Sequence, residues 1–255
     1  MAADLSTTTV LVTGATSGFG EAIARRFAAA GARLILTGRR EERLMALAAE
    51  LPVPTLALAF DLRDRAALEE SLADLPEPFA AVDVLVANAG LALGLEPARK
   101  ASLDDWEVMI DTNCRALAHT VRAVLPGMVQ RGRGHVVTVG SIAGDWPYPG
   151  GNVYGATKAF VKQFALGLRA DLLGTGVRVT DLEPGLAETE FSVVRFHGDA
   201  ERAKKVYAGV QPLTGADVAE AVFFVVTQPP HVNVSRLELM PTAQAVTGAT
   251  VARKG

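Results

Sequence analysis

Short apolar runs alternate with helix-period segments along most of the chain, and that alternation limits the fold more than any other feature. It begins with Thr9–Thr13 (TVLVT), a glycine turn and the helical stretch EAIARRFAAAG. Strand, glycine turn and helix form the first half of a βαβ unit. The second half is an apolar run at 33–37, followed by a helical segment at 41–50. The beat continues through strand 55–60 and helix 64–75, strand 82–87 and helix 103–130, strand 135–139 and helix 153–173, and strand 177–182. Consecutive parallel strands need a crossover that a helix supplies, so this order predicts a parallel sheet. The runs VDVLVA, HVVTV and VRVTDL are almost continuously apolar, as strands covered on both faces must be. A helix at 215–227 behind a Thr214 cap and a strand at 236–240 complete the series. No linker, repeat or shift in composition divides residues 1–255. The expectation is therefore one α/β domain, doubly wound, with helices on both faces of a parallel seven-stranded sheet.

Composition narrows the function classes. The hydrophobic content of 49% is that of a soluble globule. The first residues show no basic segment followed by an apolar one, and no apolar run reaches the roughly 18 residues that cross a bilayer, so a cytoplasmic location without membrane contact is expected. Cys114 is the single cysteine, and His119, His135, His197 and His231 show no paired ligand spacing, so no metal is expected. A net charge of −3 without a basic block offers no footprint for nucleic acid. A small-molecule partner remains.

After the first strand comes Gly14-x-x-x-Gly18-x-Gly20. Glycines there permit a tight turn and let the backbone approach a pyrophosphate at a helix N-terminus, the mark of a Rossmann domain. An NAD site usually ends its second strand with an acid that holds the ribose hydroxyl, whereas this chain reads Thr37-Gly38-Arg39-Arg40. Two guanidiniums favour a 2′-phosphate, and the cofactor expected is NADP. The other reading of Arg39 and Arg40 is that they solvate the start of the next helix.

Tyr154-Gly-Ala-Thr-Lys158 opens the long helix predicted at 153–173. Residues four apart share a helix face, so the Lys158 ammonium can lie beside the Tyr154 phenol and favour its ionised form. Lowering a phenol from a pKa of about 10 by roughly three units takes about 4 kcal/mol, which one close cation in a dry site can supply. In isolation the same pair reads equally as a surface Tyr–Lys contact.

With Ser141 added, these motifs make the chain resemble the short-chain dehydrogenase/reductase family over essentially its whole length. Asp61, Asn88-Ala-Gly90, Asn113 and Pro184-Gly185 with Thr189 match in the family's order. The resemblance implies a tetrad. Tyr154 would be the general acid–base, Lys158 would lower its pKa and hold the nicotinamide ribose, and Ser141 would bond the substrate oxygen. Asn113 would anchor, through its backbone, a water that relays protons to Lys158. It further implies cofactor contacts from Thr16, Ser17 and Phe19 in the glycine loop, Asp61 and Leu62 at the adenine, Asn88, Ala89 and Gly90 along the ribose, and Pro184, Gly185, Ala187 and Thr189 at the nicotinamide end. The resemblance also implies assembly through the long helices carrying Asn113 and Tyr154 into dimers and tetramers, and a homotetramer is expected. One departure is Ala87, where the family usually carries asparagine. Single members keep bland readings: Ser141 as a strand end, Asn113 bonding its own backbone, Asp61 serving the next helix, Cys114 as a small core residue.

Longer stretches, TGRREERL, residues 90–113 and SIAGDWPYPGGNVYGATKAFVKQFALGLRADL, resemble the NADP-dependent 3-hydroxy acid dehydrogenases, whose members oxidise serine, allo-threonine, 3-hydroxypropionate or 3-hydroxyisobutyrate. Such a substrate needs a cation for its carboxylate. Arg195, within a variable segment at about 186–212, is the candidate, with a structural or interface ion pair as the other reading. Trp146 and Tyr148 are expected to wall the pocket or to pack their loop on the sheet edge, and Gly150 and Gly151 to let that loop approach the substrate. Two other functions compete: a carbonyl reductase for uncharged ketones or aldehydes, and a non-catalytic NADP-binding sensor. A pure binder has no need of Asn113, Ser141, Tyr154 and Lys158 together. Residues 243–255, small and polar, are left either to reach a neighbour or to fray.

Overall fold

The computed structural model describes residues 4–245 and 250–253. Seven parallel strands form one sheet in the order β3-β2-β1-β4-β5-β6-β7: β1 Thr9–Thr13, β2 Arg33–Gly38, β3 Thr55–Ala59, β4 Val84–Ala87, β5 Gly134–Val139, β6 Val177–Pro184 and β7 Arg236–Leu239. The order reverses between β1 and β4, and a crevice opens there at the carboxyl ends of the strands.

Alternation along each strand decides which helices cover which face. Val10, Val12, Leu34, Leu36, Val137 and Val139 meet α1 (Gly18–Ala28), α2 (Glu41–Glu50) and α9 (Gly215–Val226), with Phe27 and Val222 at the centre. Leu11, Ile35, Leu85, Val136 and Val179 meet α3 (Arg65–Ala73), α5 (Leu117–Gln130) and α6 (Asn152–Asp171) through Leu68, Val121, Met128 and Val161. Burying each such side chain contributes about 1.5–3 kcal/mol. Caps set the helix starts: Asp64 accepts from the Ala66 and Ala67 N–H groups, and Thr214, the cap evident in the sequence, forms a capping box with Asp217.

One expectation requires correction. The single helix at 103–130 is α4 (Leu103–Ile110), a π turn (Asp111–Ala116) and α5. The wide turn gives Asn113 a position inside the fold, and π turns of this kind concentrate at functional sites. The segment at 186–212 also holds two helices, α7 (Phe191–Arg195) and α8 (Ala200–Tyr207), the second capped by Asp199. Of the chain end, the described part folds back: Gln244 bridges to Val251, Ala252 donates to the Ala243 carbonyl, and Arg253 reaches the carbonyls of Val206 and Ala208. Residues 246–249, 254 and 255 lie outside the described residues. No described helix is long and apolar enough to cross a membrane.

Candidate active site

A cleft of ≈ 570 Å³ runs across the strand ends and gathers nearly every residue singled out in the sequence. At one end lie Gly14, Thr16, Ser17, Gly18, Phe19, Arg39, Arg40, Asp61 and Leu62; at the other, Ser141, Trp146, Tyr148, Tyr154, Lys158, Ala187, Thr189 and Arg195, with Asn88, Ala89, Gly90, Pro184 and Gly185 between. Gly20 and Asn113 are not on its wall. They support it from below.

The glycine loop is shaped for close approach. Gly14 and Gly18 hold φ of 68° and 56°, a left-handed conformation that a side chain disfavours. At Gly20 a Cβ would come within 2.3 Å of the Gly14 carbonyl oxygen. Asn88 fixes the loop by donating to the carbonyls of Thr13 (2.9 Å) and Gly14 (3.3 Å). Ser17, at the N-cap of α1, makes no side-chain cap bond, so first-turn N–H groups remain for an anion. These donors and this clearance fit a dinucleotide pyrophosphate.

Arg40 donates to Ser17 Oγ (2.7 Å), Thr16 Oγ1 (3.1 Å) and the Thr16 carbonyl (3.1 Å), tying the second strand end to the loop. It also meets Glu190 at 2.8 Å, and Arg43 meets the other Glu190 oxygen at 2.7 Å. Arg39 is more exposed, and its ion pair is a long one to Asp61 at 4.0 Å. Asp61 itself is gripped by the Arg63 guanidinium at 2.6 Å, which holds its carboxyl below the usual range.

At the other end Asn113 links three elements. Its amide accepts from the Leu91 N–H (2.9 Å) and donates to the Leu91 carbonyl (2.8 Å) and Thr157 Oγ1 (3.0 Å), and Thr157 in turn donates to the Tyr154 carbonyl (2.8 Å). The π turn thus sets the height of α6 through Asn113. Lys158 donates to the Val139 carbonyl at 2.7 Å and lies 5.9 Å from the centre of the Tyr154 ring. Ser141 Oγ accepts from the Ala143 N–H (3.1 Å) and donates to the Pro184 carbonyl (3.4 Å), and Phe191 packs its ring against Tyr154 at 5.7 Å.

The lowering of the phenol expected from Lys158 is outweighed by burial. Burial, with Tyr148 adding to it, pushes Tyr154 up, and the groups that draw it down are Ser141 and Arg195. Burial likewise lowers Lys158 to about 8, opposed by Asp181 and Cys114. Arg195 sits over the Tyr154 ring at 5.5 Å, donates to Tyr148 Oη (2.6 Å) and the Gly94 carbonyl (3.1 Å), and among the described residues has no carboxylate within ion-pair distance. A structural ion pair within the chain therefore finds no partner for Arg195 among the described residues.

Residues 8–199 match the short chain dehydrogenase family. The chain belongs to that family. This short-chain dehydrogenase is 60% identical over 245 residues to the NADP-dependent 3-hydroxy acid dehydrogenase of Salmonella typhi, covering 96% of this chain and 99% of the relative. It is 55% identical over 247 residues to sulfoacetaldehyde reductase 2 of Chromohalobacter salexigens, covering 96% and 98%. Its structure is similar to the closed form of serine dehydrogenase complexed with NADP+, with a TM-score of 0.93, 58% identity and 97% and 100% of the two chains covered.

Other residues of this dehydrogenase line the cleft with no motif to announce them. Glu190 is one; Ser192 and Tyr207 are others, joined at 2.6 Å, with the Tyr207 hydroxyl donating to the Ala187 carbonyl at 3.1 Å. Gly150 and Gly151 serve neighbours rather than the cleft: a Cβ would lie 2.3 Å from the Leu95 carbonyl oxygen at the first and 2.5 Å from the Tyr148 ring at the second. They let the loop carrying Tyr148 fold tightly.

Proposed function

We propose that the enzyme transfers hydride between NADP and C3 of a small 3-hydroxy acid of the serine, allo-threonine, 3-hydroxypropionate or 3-hydroxyisobutyrate class. The observation that carries this reading is Arg195, a guanidinium against the Tyr154 ring with no acid partner among the described residues. A carboxylate on the substrate would occupy it while the adjacent hydroxyl faces Tyr154 and Ser141. The names of the Salmonella typhi relative and of the serine dehydrogenase structure support the same reading.

NADP, when bound, supplies the hydride acceptor or donor at its nicotinamide. The glycine loop would hold its pyrophosphate, Arg39 and Arg40 its 2′-phosphate, and Thr189, Ala187 and Lys158 its nicotinamide end. Tyr154 takes the hydroxyl proton in oxidation and returns it in reduction, and Ser141 bonds the reacting oxygen. Lys158 provides positive charge beside the phenol, and Asn113 holds Leu91 and α6 in register. In this reading the enzyme works in the cytoplasm as a homotetramer, which the exposed apolar Ile110, Phe160 and Leu166 would suit.

The test is the initial rate of NADP reduction across the four acids and a matched uncharged alcohol, for the wild type and Arg195→Met. Wild-type turnover is expected to need the carboxylate. The substitution is expected to cut kcat/KM for the acids about 100-fold, the scale of a lost charge-assisted pair, and to spare the alcohol. Equal rates on acid and alcohol would move the enzyme to the carbonyl reductases for uncharged substrates. The sulfoacetaldehyde reductase relative favours one second reading, a sulfonated aldehyde held by the same Arg195, so sulfoacetaldehyde with NADPH belongs in the panel.

A further inference from the structure

Asp181 is wholly buried, and the reaction proposed above makes no use of it. It stands opposite Thr138 in the β5–β6 ladder, on the face whose Val177 and Val179 pack towards α6. The Thr138 hydroxyl donates to Asp181 Oδ1 at 2.6 Å, whereas Oδ2 takes no donor among the described residues. Room for the carboxylate exists because residue 140 is glycine: a Cβ there would lie 2.8 Å from both oxygens. Gly140 sits between Ser141 and Val139, and the Val139 carbonyl receives the Lys158 ammonium.

Charges around this spot divide into satisfied and unsatisfied ones. Glu183, two residues along β6, is bound by Arg236 of β7 at 3.0 Å and 2.5 Å. Arg236 also bonds Asp145, which Lys162 of α6 holds from the other side. Those outer carboxylates have cations. Among the described residues Asp181 has no cation in ion-pair contact, and the Lys158 ammonium, also buried, donates to a neutral carbonyl and has no carboxylate in ion-pair contact. A buried charge needs compensation, and these two uncompensated groups are opposite in sign.

We propose that Asp181 is a positioning residue for the reaction, its buried carboxylate being the countercharge that keeps the Lys158 ammonium protonated beside Tyr154. Burial draws Lys158 down to about 8, and Asp181 is the first group that opposes this, ahead of Cys114 in the π turn. Burial raises Asp181 to about 7, with Glu183 pushing the same way and Thr138 and Lys158 against it. Each group opposes the shift that burial imposes on the other, as opposite charges sharing one buried region must.

The inference rests on the role proposed for Lys158, and one experiment separates the two. The rate of NADP reduction with 3-hydroxypropionate or L-serine is followed from about pH 6 to about pH 10 in the wild type, Asp181→Asn, Thr138→Val and Lys158→Met. Asparagine keeps the bond from Thr138 and loses only the charge. In Asp181→Asn the alkaline limb is expected to move down by about one unit, the effect of an opposite charge nearby, with the rate at neutral pH largely kept. Thr138→Val, which leaves the carboxylate harder to ionise, moves it the same way by less and serves if Asp181→Asn does not fold. A profile that superimposes on the wild type, or a rate lowered equally at every pH, would overturn the proposal. Wild-type turnover in Lys158→Met would instead remove the role given to Lys158. An inactive Lys158→Met beside an unshifted Asp181→Asn would sink the countercharge alone.

Discussion

Tyr154→Phe is expected to lower kcat by at least about 1,000-fold and to leave the dissociation constant for NADP within a factor of about two. The ring itself is structural: it packs with Ala92, Met109 and Ala143 in a small buried cluster, against Phe191, and under Arg195. Phenylalanine keeps all of those contacts. What it loses is the hydroxyl, which lies in the cleft and which Ser141 and Arg195 draw towards ionisation against burial. Because burial raises the phenol, the protonated form is the resting one, ready to donate in reduction. Oxidation needs the tyrosinate and releases a proton, so its rate climbs with pH while the reductive rate falls. On the role proposed for Lys158, the upper bound comes from its ammonium, whose pKa burial lowers to about 8. Steady-state absorbance of reduced nicotinamide measures the turnover, and quenching of protein fluorescence by NADP measures the affinity. Turnover that survives in the variant would remove Tyr154 from the chemistry.

Periodicity made the sheet legible. Apolar runs at 9–13, 82–87 and 135–139 contain the sheet's three central strands because a strand covered on both faces can carry little else. The glycine loop and Tyr154-x-x-x-Lys158 were equally visible, since their spacing is itself the geometry. Other features had no such signature. The π turn at Asp111–Ala116 is invisible in a helical apolar pattern, because one extra residue per turn shifts the pattern only slightly, yet it seats Asn113. Glu190 carries no motif, and its importance comes from Arg40 and Arg43, some 150 residues earlier in the chain. Asp181 reads as one polar residue in a strand. Its environment comes from Gly140, Thr138 and Lys158, brought together only by β5 and α6. Long-range electrostatics is what sequence spacing conveys least, and the direction of the Tyr154 shift shows it. A helical pair suggested a phenol lowered by its lysine, whereas burial of the whole site dominates.

Arg39→Gln combined with Arg40→Gln is expected to raise the dissociation constant for NADP about 100-fold or more while changing that for NAD only severalfold. Each charge-assisted bond to a phosphate contributes about 1.5–3 kcal/mol, and a factor of ten in affinity is about 1.4 kcal/mol. Both guanidiniums are substantially exposed, so salt screens part of that, and the selectivity should narrow as ionic strength rises. The two arginines differ in kind. Arg40 holds Thr16 and Ser17 of the glycine loop as well, so removing it alone costs some affinity for either cofactor. Arg39 makes no such bond, and Arg39→Gln should act on NADP alone. Glu190 supplies the opposing term: its carboxylate occupies Arg40 and Arg43 from across the cleft, and a 2′-phosphate must share or displace it. Glu190→Gln should therefore tighten NADP severalfold with NAD unaffected. Equal losses for both cofactors in the arginine variants would mean that the guanidiniums only brace the loop. Weaker NADP in Glu190→Gln would mean that Glu190 holds the segment at 186–195 over the cofactor rather than competing with it.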